Sequence, residues 1–142
     1  MENNPFIDSR LHLQWIPEIS GWGVFAKEMI EINSIVERSP IIVYPRDVIE
    51  MSYYILQGEG KKSHEFVIDQ YSIRWEDNCG ISLGWVSLYN HSDRNNSEFK
   101  PNFSNTTLEI VTTRVIMPNE QLTVNYGPTW FTAKGYINKI DF

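Results

Sequence analysis

The chain has few of the residues that form disulfides or structural metal sites. Its 142 residues contain one cysteine, Cys79, which excludes an intrachain disulfide and a cysteine-rich zinc site. A single thiol also fits a reducing compartment, so we expect an intracellular protein. No apolar run approaches the length of a membrane span, and the first residues lack the pattern of a signal peptide. We therefore expect neither a membrane protein nor a disulfide-stabilised secreted domain.

Basic residues are also scarce. The chain has 12 Lys and Arg against 18 Asp and Glu, a net charge of −6 at neutral pH, and no run of basic residues. Nucleic-acid binders neutralise phosphates with basic patches, so this composition argues against direct nucleic-acid binding. An acidic surface would suit a basic protein substrate, but a charge of this size is also ordinary for a soluble domain.

Apolar and aromatic side chains, in contrast, are plentiful. Hydrophobic residues make up 42% of the chain, and there are five Trp, seven Tyr and seven Phe. This is enough to fill the core of one globular domain. Neither an internal repeat nor a low-complexity linker divides the chain. We expect residues 1–9 to form a flexible arm and residues 10–142 to form a single domain.

The secondary-structure pattern is mostly β. Segments rich in β-branched and aromatic residues predict strands over residues 24–26, 35–43, 65–69, 71–75, 81–88, 108–113 and 122–124. Apolar spacing predicts helices over 46–57, capped by Asp47, and over 129–138. Turns are predicted at 77–80 and at 117–120, where Asn119 would hold a positive φ. The fold class is therefore mostly β, a β-rich α+β domain.

Two short motifs have the composition of a binding site. In Gly21-Trp22-Gly23, a turn without Cβ atoms on either side of the tryptophan would let the backbone approach a ligand closely. Asn90-His91 follows the predicted strand at 81–88 and offers several hydrogen-bond donors and acceptors. Taken alone, each motif is more often an ordinary turn than a site.

A third motif places Tyr126 directly after the predicted strand at 122–124. A tyrosine there is either a core residue at a strand end or a group that touches a reacting centre. Other chemistries fit poorly. His12 and His64 lack ligand spacing around His91, so no metal site is expected. No Gly-x-Ser-x-Gly elbow occurs, and Cys79 lies in a predicted turn without an identifiable base.

In this order and at these separations, the three motifs resemble those of the SET-domain family of protein-lysine methyltransferases. The matching segments are Gly21–Ala26, Leu88–Ser92 and Glu120–Gly127, and the resemblance covers about residues 11–131. It implies small curved sheets around a pseudoknot in which a C-terminal segment threads under a loop. It also implies transfer of a methyl group from S-adenosylmethionine to a lysine side chain.

The resemblance assigns roles to individual residues. Tyr126 becomes the catalytic residue, whose hydroxyl points at the reacting centre. The residues implied for binding the methyl donor are Gly21, Trp22, Gly23, Asn90, His91 and Trp130. Those implied for the channel of the substrate lysine are Tyr44, Tyr89, Phe99 and Val124.

The chain departs from the family pattern in several places. Asn95-Asn96 stands where the family usually has Pro-Asn. The cysteines that often follow the Tyr-Gly signature are missing, so an aromatic lid in the segment 128–142, with Trp130 and Phe131, would replace a zinc cluster. Residues 45–64 match nothing specific and form a variable insert, where substrate selection usually resides.

By family analogy, the leading substrate is a histone tail or another basic peptide. The protein would act in the nucleus if it is eukaryotic or modifies a host, and otherwise in the cytoplasm. A homodimer that completes the substrate groove is possible. Two alternatives remain open: a catalytically silent SET module that binds a protein partner, and a β-rich interaction domain in which the motifs are coincidental.

Overall fold

The computed structural model describes residues 3–45 and 72–127, and these form a mostly β structure, as the sequence predicts. The ten strands are β1 (Phe6–Ile7), β2 (Leu11–Ile16), β3 (Gly21–Ala26), β4 (Ile35–Tyr44), β5 (Ile73–Trp75), β6 (Asn78–Ser82), β7 (Asn90–His91), β8 (Ser97–Asn102), β9 (Thr107–Thr112) and β10 (Gln121–Val124). Short 3₁₀ helices span Pro17–Ile19 and Val86–Leu88. The predicted helices at 46–57 and 129–138 and the predicted strand at 65–69 lie outside the described residues.

The described residues belong to two compact units. Residues 3–41 and 82–126 form the first, which contains all three motifs except Gly127. Residues 42–45, 72–81 and 127 belong to the second, where the end of β4 and the antiparallel β5–β6 hairpin lie. The sequence predicts one domain over the same length.

One sheet of the first unit is built around β4. This strand pairs antiparallel with β9, which pairs antiparallel with β8, and β1 pairs with the other edge of β4. Because Phe6 lies opposite Arg38 and Ile7 opposite Glu37, the expected N-terminal arm is tied to this sheet over two of its residues. A bulge between Ile35 and Glu37 shifts the register of β4 against β9.

The second sheet has the order β2-β3-β10-β7 and carries the motifs. β2 and β3 form an antiparallel hairpin, and β10 lies antiparallel to β3 on one side and parallel to β7 on the other. In that parallel pair, Thr123 is opposite Asn90 and Val124 is opposite His91. A parallel pair needs a long connection, here residues 92–120, so two motifs far apart in sequence meet side by side.

The core consists mostly of aliphatic residues. Its fully buried members include Val24, Ile30, Val36, Ile110, Ile116, Leu122 and Val124. Ile30 and Ile116 also form an isolated antiparallel bridge. The turn at 117–120 is confirmed, with Asn119 at a φ of 68°. None of the helices in the described residues is long and apolar enough to span a membrane.

Some local predictions were wrong. The predicted strand at 81–88 ends at Ser82, and the rest of that segment bends into the 3₁₀ helix at Val86–Leu88. The turn predicted at 77–80 is earlier, because residues 76–77 turn and Asn78 already begins β6. Strands β2 and β8 were not predicted. Both contain polar residues and form by pairing with a neighbouring strand.

Candidate active site

His91 links the second motif to the third. The ring is almost completely buried, and its Nδ1 accepts a hydrogen bond of 3.0 Å from the backbone N–H of Tyr126. Nδ1 is therefore the unprotonated nitrogen, and Nε2 donates to Oδ1 of Asp93 at 2.8 Å. The His91 and Tyr126 rings are tilted against each other with centroids 5.3 Å apart. The imidazole thus fixes the backbone just after β10 and the direction in which Tyr126 leaves it.

The hydroxyl of Tyr126 points back to the strand that carries Asn90 and His91. It donates a hydrogen bond of 2.7 Å to the main-chain carbonyl oxygen of Tyr89. Tyr126 is half-buried, so its ring lies at the boundary between core and solvent. Through one hydrogen bond from its backbone and one from its side chain, Tyr126 is held at both ends against His91 and Tyr89.

Tyr89 presents only its main chain to Tyr126. Its ring is fully buried, and its hydroxyl donates to Oε1 of Glu37 at 3.0 Å. Burial, the negative charge of Glu37 and the hydrogen bond to it raise the pKa of the Tyr89 phenol well above its usual value, so the hydroxyl keeps its proton. The sequence assigned Tyr89 to the lysine channel; the structure places its carbonyl beside Tyr126 and its side chain in the core.

Glu37 is the functional candidate that the sequence analysis missed. Its carboxylate is fully buried and accepts hydrogen bonds from the Ser39 hydroxyl and from the backbone N–H of Trp85, the latter at 2.7 Å. Burial raises the pKa of this carboxyl, although these hydrogen bonds and that of Tyr89 favour the charged form. The sequence offered one signal. Glu37, Ser39 and Ile41 follow one another at every second position of β4, so the two polar side chains lie on the same, core-facing side of the strand as Ile41.

Asn90 faces the β3 strand. Its amide nitrogen donates to Oε1 of Gln121 at 2.8 Å and to the main-chain oxygen of Trp22 at 3.2 Å. Both partners are acceptors, which fixes the orientation of the amide. Its Oδ1 accepts no hydrogen bond from the part of the chain that the structure describes. A half-buried oxygen oriented in this way suits a ligand that brings a donor, such as an ammonium group.

Gly21 and Gly23 lie within β3 and not in a turn, because residues 11–16 pair with the whole of 21–26. The two glycines are not equivalent. A Cβ on Gly23 would lie 2.7 Å from Ile16 Cδ1, 2.8 Å from Gln121 Oε1 and 3.1 Å from Asn90 Nδ2. The closest atom to a Cβ on Gly21 would be 3.5 Å away, an ordinary contact. Gly23 is therefore the glycine that lets Asn90 approach the strand.

The remaining predicted residues are spread more widely. The Trp22 side chain is half exposed and packs edge-to-face on Trp15 with ring centroids 5.4 Å apart. Val124 is fully buried opposite His91. Phe99 is half-buried on β8, opposite Ile110. Tyr44 ends β4 in the second unit, and Trp130 lies outside the described residues.

The loop after the second motif is anchored by Asn96. Its side chain is buried; Nδ2 donates to Gln121 O at 2.8 Å and Oδ1 accepts from the backbone N–H of Thr123 at 2.9 Å. Asn95, which replaces the proline of the family pattern, donates to Ser97 O at 2.8 Å. Asn96 therefore attaches this loop to β10, directly beside the motifs. In the described residues, no group of three or more His, Cys, Asp or Glu could hold a metal ion.

Comparisons with known proteins show which family the chain resembles. The family model described as the SET domain matches residues 21–127. The chain is 30% identical, over 129 residues, to a Schizosaccharomyces pombe protein named histone-lysine N-methyltransferase, H3 lysine-37 specific; the match covers 89% of this chain and 80% of that protein. A crystal structure of a candidate histone methyltransferase from Plasmodium falciparum superposes with a TM-score of 0.62 at 21% identity, covering 88% of this chain and 99% of that one. The last likeness concerns the fold alone.

Proposed function

We propose that S-adenosylmethionine is the methyl donor of this protein, that Tyr126 is its catalytic residue and that a histone is its substrate. The chain belongs to the SET-domain family and is a lysine methyltransferase. The observation that carries the assignment of Tyr126 is the placement of its hydroxyl against the carbonyl of Tyr89, directly before β7. Family membership supplies the reaction type, the resemblance suggests the residue roles, and this geometry supports the role of Tyr126.

Methyl transfer to an amine needs a neutral, well-aligned nucleophile. A lysine with its usual pKa of about 10.4 is mostly charged at neutral pH. Apolar surroundings disfavour the charged form and lower that pKa. The Tyr126 hydroxyl and the Tyr89 carbonyl would form a polar edge that orients the amine for in-line attack. No strong base is required, since water can take the released proton.

The residues around Asn90 fit the proposed donor. S-adenosylmethionine, when bound, supplies a methyl group activated by its sulfonium. Asn90 Oδ1 would accept a hydrogen bond from the donor's ammonium group, while Gly23 keeps Asn90 close to β3. We further propose that Gly21, Trp22 and His91 line the same site. The lysine channel would take in Val124 and Phe99 beside the Tyr89 carbonyl.

Two observations favour a histone tail as the substrate. The Schizosaccharomyces pombe relative is named for specificity toward lysine 37 of histone H3. The net charge of −6 would also attract a basic peptide. We propose that such a peptide adds as a strand and inserts its lysine into the channel, and that the protein acts inside the cell, in the nucleus if it is eukaryotic or modifies a host. A homodimer that completes the groove stays a prediction.

The first test is calorimetric titration of the purified chain with S-adenosylmethionine and with S-adenosylhomocysteine. We expect close to one equivalent of each to bind. Transfer from labelled donor to free histones, to nucleosomes and to a cell lysate then measures activity, with Tyr126→Phe as the inactive control. Donor binding without transfer to any protein would point to a silent module. Failure to bind donor, with and without histones, would favour the interaction domain.

A further inference from the structure

We propose that Glu37 is a positioning residue for methyl transfer, whose buried carboxylate holds residues 84–89 so that the Tyr89 carbonyl fixes the Tyr126 hydroxyl. This inference rests on the proposed function of Tyr126. Glu37 itself touches neither Tyr126 nor Asn90 through any hydrogen bond of its side chain in the described residues. Its effect would reach the site through the backbone.

The carboxylate binds both ends of the segment. At the beginning, it accepts the N–H of Trp85 at 2.7 Å, and the Cβ of any residue replacing Gly84 would overlap its Oε2. At the end, it accepts the hydroxyl of Tyr89 at 3.0 Å. The 3₁₀ helix Val86–Leu88 lies between these two attachments. A single side chain therefore sets where this segment starts and where it ends.

The second attachment leads directly to the reacting group. Tyr89 turns its phenol into the core and its carbonyl toward Tyr126, so fixing the ring also fixes the carbonyl. That carbonyl accepts the Tyr126 hydroxyl at 2.7 Å. A displacement of Tyr89 would therefore move the hydroxyl of Tyr126, and a misplacement of about 1 Å can cost roughly 100-fold in rate.

A carboxylate suits this position better than an amide. Four donors converge on it, namely the Ser39 hydroxyl, the N–H groups of Trp85 and Val86, and the Tyr89 hydroxyl. Two carboxylate oxygens can accept all of them, whereas a glutamine offers one acceptor oxygen and a second group that donates. Glutamine at position 37 therefore either turns the Tyr89 hydroxyl or displaces Trp85.

The test compares Glu37→Gln with Glu109→Gln. Glu109 is a matched control, because its carboxylate pairs with Arg38 in the same sheet at 2.6 Å and has no contact with residues 84–89 among its hydrogen bonds. The readouts are the ¹³Cζ resonance of Tyr126 in tyrosine-labelled protein, assigned with Tyr126→Phe, the donor Kd from calorimetry, and kcat and KM for a histone H3 peptide.

We expect Glu37→Gln to shift the Tyr126 resonance and to lower kcat roughly 10- to 100-fold, with donor Kd changed less than about threefold. Glu109→Gln should leave all three unchanged. Tyr89→Phe keeps the carbonyl and loses only the phenol contact with Glu37, so it should shift the resonance in the same direction. It also carries the test if Glu37→Gln fails to fold.

An unchanged Tyr126 resonance in folded Glu37→Gln or Tyr89→Phe would overturn the inference, whatever happens to kcat. An unchanged kcat alongside an active wild type would overturn it as well. If the wild type transfers no methyl group, the proposed function fails instead, and the resonance still decides whether Glu37 positions Tyr126.

Discussion

The hydroxyl of Tyr126 lies 2.7 Å from the main-chain carbonyl oxygen of Tyr89, a residue 37 positions earlier in the chain. The same Tyr89 donates its own hydroxyl to the buried Glu37. One tyrosine therefore contributes its backbone to the site and its side chain to the core. This arrangement makes the position of the Tyr126 hydroxyl depend on how the core around Glu37 is packed.

Replacing Tyr126 with phenylalanine removes the hydroxyl and keeps the ring that packs on His91. We expect turnover to fall by about 100-fold or more, the scale on which a positioned catalytic group acts. Donor affinity should not change, because the hydroxyl is assigned to the amine and not to the donor. Calorimetry and a labelled-donor assay on the same preparation check both points. Undiminished turnover would remove Tyr126 from the catalytic role.

Replacing Asn90 with alanine should weaken donor binding by about 1–3 kcal/mol, through the loss of Oδ1 and the partners it leaves unpaired. Gln121 Oε1 and the Trp22 carbonyl would lose their donor at the same time. Asn95→Ala is the matched control, because Asn95 lies in the following loop and donates to Ser97 O. Wild-type donor affinity in Asn90→Ala, measured by calorimetry, would contradict the assignment of the donor site.

Substitution by alanine should have different effects at the two glycines of β3. Gly23→Ala would place a Cβ 2.7 Å from Ile16 and 3.1 Å from Asn90 Nδ2. We expect a loss of stability of about 1–3 kcal/mol from overpacking, together with weaker donor binding as Asn90 is displaced. Gly21→Ala meets only an ordinary contact at 3.5 Å and should leave the stability unchanged. Thermal unfolding of both variants measures the difference; equal stabilities would show that Gly23 is not the closer-packed position.

Strands with a strong local signal were predictable. Residues 35–43, 108–113 and 122–124 are rich in β-branched side chains and became β4, β9 and β10 nearly as predicted. The segment 81–88 was not, because an apolar run alone does not distinguish a strand from a segment shaped by distant contacts. Here the distant contact is Glu37, whose carboxylate binds the Trp85 N–H from 48 residues away.

The site was predictable as a set of motifs but not as a geometry. The resemblance selected Asn90, His91 and Tyr126 from their types and order. Their meeting depends on the parallel pairing of β7 with β10, a long-range contact that no local pattern encodes. The role of the Tyr89 main chain, and Glu37 beneath it, could be found only once the buried hydrogen bonds were known.

The buried Glu37 carboxyl also predicts a pH dependence of stability. Burial raises its pKa in the folded protein above the ordinary value of 4.5. A raised folded pKa gives a contribution that is fully present below the unfolded pKa and is lost as pH rises through the folded pKa. Glutamine does not titrate, so the stability of the wild type relative to Glu37→Gln should be greatest at the acidic end and decrease as pH rises. Urea unfolding of both proteins from about pH 4 to pH 8 measures this; parallel stability curves would contradict it.

Asn96 should matter more for stability than its neighbour Asn95, although the two are the same residue type. Asn96 is buried and satisfies the Thr123 N–H and the Gln121 carbonyl, both on β10. Its truncation to alanine leaves two backbone groups of β10 without partners, at about 1–3 kcal/mol each. Asn95 is half-buried and contributes one hydrogen bond, to Ser97 O, so Asn95→Ala should cost less than about 1.5 kcal/mol. Because Thr123 lies opposite Asn90, the Asn96 variant should also lose donor affinity, whereas the Asn95 variant should not. Chemical unfolding and donor titration of the pair test this, and equal stabilities would mean that the loop does not hold β10 in place.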